Sequence, residues 1–143
     1  MPDYSHVLVA TDFHNDCLPV VKKAISLAKQ NDAKLSVVNV IPNVPYYMAS
    51  GLSSICDIEE QLEDEHRRRL EEAKAQINIE AEYHLLHGVA KVEIIRLAKK
   101  IGVDLLVLGS HGRHGVQRFL GSTASGVLHR AKADVLVVRI KER

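Results

Sequence analysis

Asp104-Leu105-Leu106-Val107-Leu108-Gly109-Ser110-His111-Gly112 is the stretch that decides the fold. It opens as a continuous apolar run, the pattern of a strand whose sheet is covered on both faces. It then passes through a glycine-containing loop to Gly121-Ser122 and into a helical pattern from about Ser122 to Ala131. A glycine-rich loop between a buried strand and a helix is where α/β proteins hold phosphate groups. Glycine lets the backbone approach the ligand, and the unpaired N–H groups at a helix start favour an anion. Ser122 and Thr123 would add hydroxyl donors there.

The same alternation of strand and helix extends outward to both ends of the chain. His6-Val7-Leu8-Val9-Ala10 is a short apolar run, and Asp16 to Gln30 carries apolar residues at helical spacing, led by Leu18, Val21, Ile25 and Ala28. Pro19 suits a first helical turn, where its missing N–H costs nothing. Lys34 to Ile41 predicts a second strand. Pro42 to Cys56, with Pro42, Pro45 and Gly51, predicts a loop or lid. Asp57 to about Gln76 predicts a charged helix with a narrow apolar line through Ile58, Leu62, Leu70 and Ala73. Its acidic block precedes Arg67-Arg68-Arg69, an order that suits the helix dipole, offers i,i+4 pairs and fits a solvated face.

Ile79 to Leu85 alternates apolar and polar residues and predicts an edge strand. Val89 to Lys100 predicts an amphipathic helix, with Val92, Ile95, Leu97 and Ala98 inward and Gly102 as its C-cap. A final strand is expected over Val135 to Ile140. Five strands alternating with four helices imply an open parallel sheet with helices on both faces. In such sheets a ligand sits at the carboxyl ends of the strands, where the strand order reverses.

Composition narrows the function. The 143 residues predict one domain, residues 1–143, with an ordinary 46% apolar and 26% charged content. A net charge of +1 gives no broad electrostatic hold on nucleic acid, and 4% aromatic residues give no stacking platform. No apolar run approaches the roughly 20 residues that span a bilayer. The opening Met1-Pro2-Asp3-Tyr4-Ser5-His6 lacks the basic and apolar regions of a secretory leader. Cys17 and Cys56 have no metal or redox spacing, so both thiols are expected free in a cytoplasmic protein. His84 and His87 have no Cys or carboxylate cluster beside them, so no metal site is expected.

Three segments converge on the carboxyl ends in this scheme. Ala10-Thr11-Asp12 follows the first strand; Asp12 is either an acceptor for a ribose diol or a helix N-cap. Val40 closes the second strand, where main-chain N–H and C=O groups could read a base edge, though a Val there is also ordinary core. The glycine loop is the third. G-x-x-x-x-G-K-[ST] is absent, and no G-x-G-x-x-G follows the first strand, which excludes the P-loop and dinucleotide-binding patterns. Ser110 and His111 are adjacent, poor geometry for a nucleophile and its base, and G-x-S-x-G is missing.

Val7-Leu8-Val9-Ala10-Thr11-Asp12, Val38-Asn39-Val40, Gly109-Ser110-His111-Gly112, Gly121-Ser122-Thr123 and Ala133-Asp134-Val135-Leu136-Val137-Val138-Arg139 together resemble the nucleotide-binding type of universal stress protein. The resemblance covers nearly the whole chain and is most specific from Asp104 to Arg139. It implies a five-stranded parallel sheet of order 3-2-1-4-5 with the adenine nucleotide alpha hydrolase-like fold. The implied ligand is ATP or AMP, with Mg2+ compatible with ATP. It also implies a homodimer through the last strand and a role as sensor, switch or adaptor in a stress response. The family loop is G-x2-G-x9-G-[ST]. This chain has eight residues between Gly112 and Gly121, so the choice between ATP and AMP stays open. Position by position, Ala10, Thr11 and Asp12 would line the adenosine, with Asp12 on the ribose. Val40 would bond adenine through its backbone, and Gly109 would approach the ribose and α-phosphate. Gly112, Gly121, Ser122 and Thr123 would hold phosphates. Rival readings are a slow ATPase or other nucleotide-processing enzyme of the same fold, and an interaction module without ligand.

Overall fold

The structure, a computed structural model, describes residues 3–11, 18–43, 55–110 and 122–139. Five strands alternate with four helices along it: β1 (His6–Ala10), α1 (Leu18–Asn31), β2 (Lys34–Ile41), α2 (Ile55–Gln76), β3 (Glu82–His87), α3 (Ala90–Ile101), β4 (Leu105–Gly109), α4 (Ser122–Arg130) and β5 (Asp134–Val138). All strand pairings are parallel and the sheet order is β3-β2-β1-β4-β5. This is the expected doubly wound α/β fold.

The apolar runs of β1, β2 and β4 supply both faces of the core. Val7, Val9, Leu35, Val37, Leu105 and Val107 face α1, where Val20, Val21, Ala24 and Ala28 meet them. Leu8, Val38, Leu106 and Leu108 face the other way, onto Ile94, Leu97 and Ala98 of α3 and Ala124 and Val127 of α4. Fully burying each such Val or Leu stabilises the fold by about 1.5–3 kcal/mol. Strand order reverses between β1, the central strand, and β4.

Several boundaries differ from the sequence expectation. The edge strand covers Glu82–His87, not Ile79 to Leu85. Ladder pairing begins at Ser36↔Glu82, while Ile79 and Ala81 pack onto the core ahead of the strand, so their alternation reflects packing without pairing. In α3 the buried stripe is Ile94, Leu97 and Ala98; Leu97 and Ala98 are inward as expected, Ile95 packs against the core half-buried, and Ile94 takes the inward place expected of Val92, which is half-buried. In α1 the buried stripe runs through Val20 and Val21, and Leu18 is exposed. β5 begins one residue early and ends at Val138; Ile140 lies outside the described residues, as does most of the expected loop or lid. Gly102 caps α3 in the left-handed region at φ 72°, as expected, and its N–H donates to the Ala98 carbonyl.

The amino-terminal pole is stitched by one carboxylate. Asp104 accepts from the Ser5 N–H (2.9 Å), the Ser5 hydroxyl (3.0 Å) and the His6 N–H (3.0 Å). Its own main chain donates to the His6 carbonyl and accepts from the Asp134 N–H, so β1, β4 and β5 start in fixed register.

Candidate functional site

In open α/β sheets a reversal in strand order leaves a notch at the carboxyl ends of the strands, and here that reversal falls between β1 and β4. Helices α1 and α4, which follow β1 and β4, pack on opposite faces of the sheet, the arrangement that gives α/β folds their ligand crevice. Ala10, half-buried, is the last residue of β1, and Thr11 continues it, its N–H donating to the Val38 carbonyl at 3.1 Å. Val40 is half-buried near the end of β2. Gly109 ends β4, and the Ser110 N–H donates to the Val138 carbonyl at 2.9 Å. Ser122 opens α4, and Thr123 in its first turn is half-buried. The structure thus brings Ala10, Thr11, Val40 and Gly109 to one end of adjacent strands. Asp12, Gly112 and Gly121 lie outside the described residues.

Main-chain alternation determines what Val40 presents. The Val38 carbonyl faces β1, since it accepts from Thr11. Along a strand the direction of the peptide groups alternates, so Val40 also turns its N–H and C=O toward β1, at the level where that strand has ended. Those groups are suited to an edge with one acceptor and one donor.

Among the described residues, the buried polar side chains are His6, Ser36 and Asn39. A buried polar group is costly unless it is hydrogen-bonded. The His6 Nδ1 donates to the Ile101 carbonyl at 3.0 Å, and the Ser36 hydroxyl donates to His6 Nε2 at 2.7 Å. This resembles a nucleophile with its base, but Ser36 is 0% exposed, so no substrate reaches it and the pair is structural. Asn39 is different. Its Nδ2 donates to the Thr11 carbonyl at 2.5 Å, and its Oδ1 accepts from His66 Nδ1 on α2. These two residues border the notch and were not singled out as site residues from the sequence. The available signal was an Asn in an otherwise apolar strand end and a His filling the 58-62-66-70 line of α2.

The displaced pKa values lie elsewhere. Burial holds the His84 imidazole below its ordinary value against the raising effect of Glu82. A hydrogen bond from Lys34 holds Glu82 low. Glu63–Arg67 and Glu65–Arg69 form the expected i,i+4 pairs on α2, at 2.8 and 2.6 Å. Cys56 is a free, exposed thiol, and Cys17 lies outside the described residues. No described helix is long and apolar enough to cross a membrane.

The family model described as the universal stress protein family matches residues 3–139. The chain belongs to this family. Among universal stress proteins, it is 42% identical to universal stress protein A homolog 2 of Coxiella burnetii, over 99% of each chain. The solved universal stress protein UspA from Lactobacillus plantarum is 25% identical and superposes with a TM-score of 0.76, covering 95% of this chain and 98% of that one. A universal stress protein solved in complex with cAMP is 28% identical, with a TM-score of 0.63 over 95% and 97% of the two chains.

Proposed function

We propose that this universal stress protein binds an adenine nucleotide, ATP or AMP, in the notch at the carboxyl end of its sheet. The reading makes it a cytoplasmic sensor, switch or adaptor in a stress response, with residues 1–143 acting as one domain. The observation that carries it is the placing of Thr11, Val40 and Gly109 at the carboxyl ends of three adjacent strands, with the Val40 peptide groups turned toward β1. The cAMP complex of a structural relative supports the ligand class. In this reading Ala10, Thr11 and Asp12 line the adenosine, the Val40 main chain meets the base, and Gly109 approaches the ribose. Gly112, Gly121, Ser122 and Thr123 hold the phosphates, and the hydroxyl and main-chain donors of that set fit an anion. Mg2+, where ATP is bound, would neutralise part of the phosphate charge.

A second copy of the chain is the proposed partner, through the exposed edge of β5. Symmetric pairing of two identical edges is the simplest closed arrangement.

The test of the site is calorimetric titration of ATP and AMP into wild-type protein and into Gly112→Val/Gly121→Val. A Cβ branch at these positions would occupy phosphate space or demand an unsuitable φ. Binding is expected in the wild type and lost in a variant that keeps its circular dichroism. Equal affinity in both proteins would refute the phosphate assignment.

A further inference from the structure

Asn39 sits where β1 and β2 stop pairing. If the ladder ran one step further, the Thr11 carbonyl would accept the Val40 N–H, as the parallel register from Ala10↔Val38 dictates. Among the described residues no main-chain bond joins Val40 to Thr11. The Asn39 side-chain amide takes that carbonyl instead, at 2.5 Å. The amide orientation follows from chemistry: a carbonyl only accepts, so the NH2 of Asn39 faces Thr11 and its oxygen faces α2. His66 Nδ1 must then be the protonated ring nitrogen, donating to that oxygen.

Both residues stand where an apolar side chain would be the cheaper choice. Asn39 is 1% exposed, on the face that carries Leu35 and Val37. His66 occupies the inward line of α2 between Leu62 and Leu70, and Leu70 is buried. Each polar group satisfies the other, and together they fix one carbonyl at the mouth of the notch.

We propose that Asn39 and His66 are positioning residues for the nucleotide site: His66 holds the Asn39 amide on the Thr11 carbonyl, which ends the β1–β2 ladder there and keeps the Val40 N–H for the base. This rests on the nucleotide reading above. Because a peptide group is planar, holding that carbonyl also fixes the peptide unit by which the chain leaves β1. The same link makes α2 part of the site's equilibrium. Whatever tightens nucleotide binding tightens α2 by the same factor.

The test uses the full chain, with amide exchange followed by NMR and AMP and ATP affinities by calorimetry. In the wild type the Val40 amide should exchange readily without ligand and become protected with AMP. In Asn39→Leu it should be protected without ligand, because the Thr11 carbonyl reverts to the ladder, and AMP should bind about tenfold more weakly. His66→Ala should weaken AMP by about fivefold, the low end of typical coupling between sites. His66 is only half-buried and Ala favours helix, so this variant keeps the test available if Asn39→Leu does not fold. His66→Asn places an amide donor where Nδ1 was and should restore affinity to within about twofold of wild type. A purely structural role for His66 would not produce that rescue or the change at Val40. Folded His66→Ala and Asn39→Leu proteins with wild-type affinity would overturn the relay while the nucleotide reading stood. So would a Val40 amide that is protected in ligand-free wild type. A wild type that binds neither AMP nor ATP would overturn the nucleotide reading, and the relay with it.

Discussion

Replacing Asp104 with Ala removes three hydrogen bonds at the pole opposite the notch, from the Ser5 N–H, the Ser5 hydroxyl and the His6 N–H. The two Ser5 donors are exposed and return to water, so each costs only about 0.5 kcal/mol once solvent screening is allowed for. The His6 N–H is partly buried, and losing a charged acceptor there costs about 1 kcal/mol. The sum, about 2 kcal/mol, corresponds to a Tm lower by roughly 4–8 °C for a chain of this size. The loss should depend on pH with a definite sign. Partial burial pushes the Asp104 carboxyl up, but the bonds from Ser5 and His6 outweigh it and hold the group below its ordinary value. A carboxylate held low stabilises fully above its unfolded pKa, about 3.9 for Asp, and loses that contribution as pH falls through the folded value. Wild type and Asp104→Ala should therefore differ by a constant amount from pH 7 to about 5 and converge below about 4. Urea unfolding at pH 7, 5 and 3 reads this directly. A variant within about 0.5 kcal/mol of wild type at pH 7 would refute the stitching argument. A gap that widens toward acid would refute the sign.

Two further expectations follow from other edges of the sheet. Burial holds His84 below its ordinary pKa, and its Nε2 is buried without a hydrogen-bond partner, 3.9 Å from Glu82 Oε2. A neutral ring is therefore favoured in the folded state, and its contribution is lost as pH falls through the folded pKa. His84→Leu should flatten the fall in urea midpoint between pH 7 and 5, and equal slopes in the two proteins would count against this. In β5 the Asp134 N–H and the Val138 carbonyl face β4, so Val137 turns its N–H outward. Val137→Pro should leave the β4 pairing intact and weaken the proposed dimer, as read by sedimentation at micromolar concentration. A folded variant that dimerises as tightly as wild type would place the interface elsewhere.

Local chemistry in the sequence was enough to establish the kind and order of the elements. Continuous apolar runs at Val7-Leu8-Val9 and Leu105-Leu106-Val107-Leu108, short and set between helical patterns, fit strands covered on both faces, and the cap at Gly102 needed nothing beyond its neighbours. Boundaries failed where packing and pairing part company, as at Ile79 and Ala81, because alternation reports burial and not a hydrogen-bonded neighbour. The family motifs likewise pointed to Thr11, Val40 and Gly109 before their meeting was visible. Strand order decided that meeting, by setting β2, β1 and β4 side by side. The Asn39 relay belongs wholly to the tertiary structure. Its partners Thr11 and His66 stand 28 and 27 positions away along the chain, one before it and one after. The periodicities of helix and strand reach only a few residues, so they mark Asn39 and His66 as polar exceptions and cannot say that the two satisfy each other. Only the docking of α2 over the end of β2 brings those side chains together, because a buried amide is tolerated just where donor and acceptor meet it.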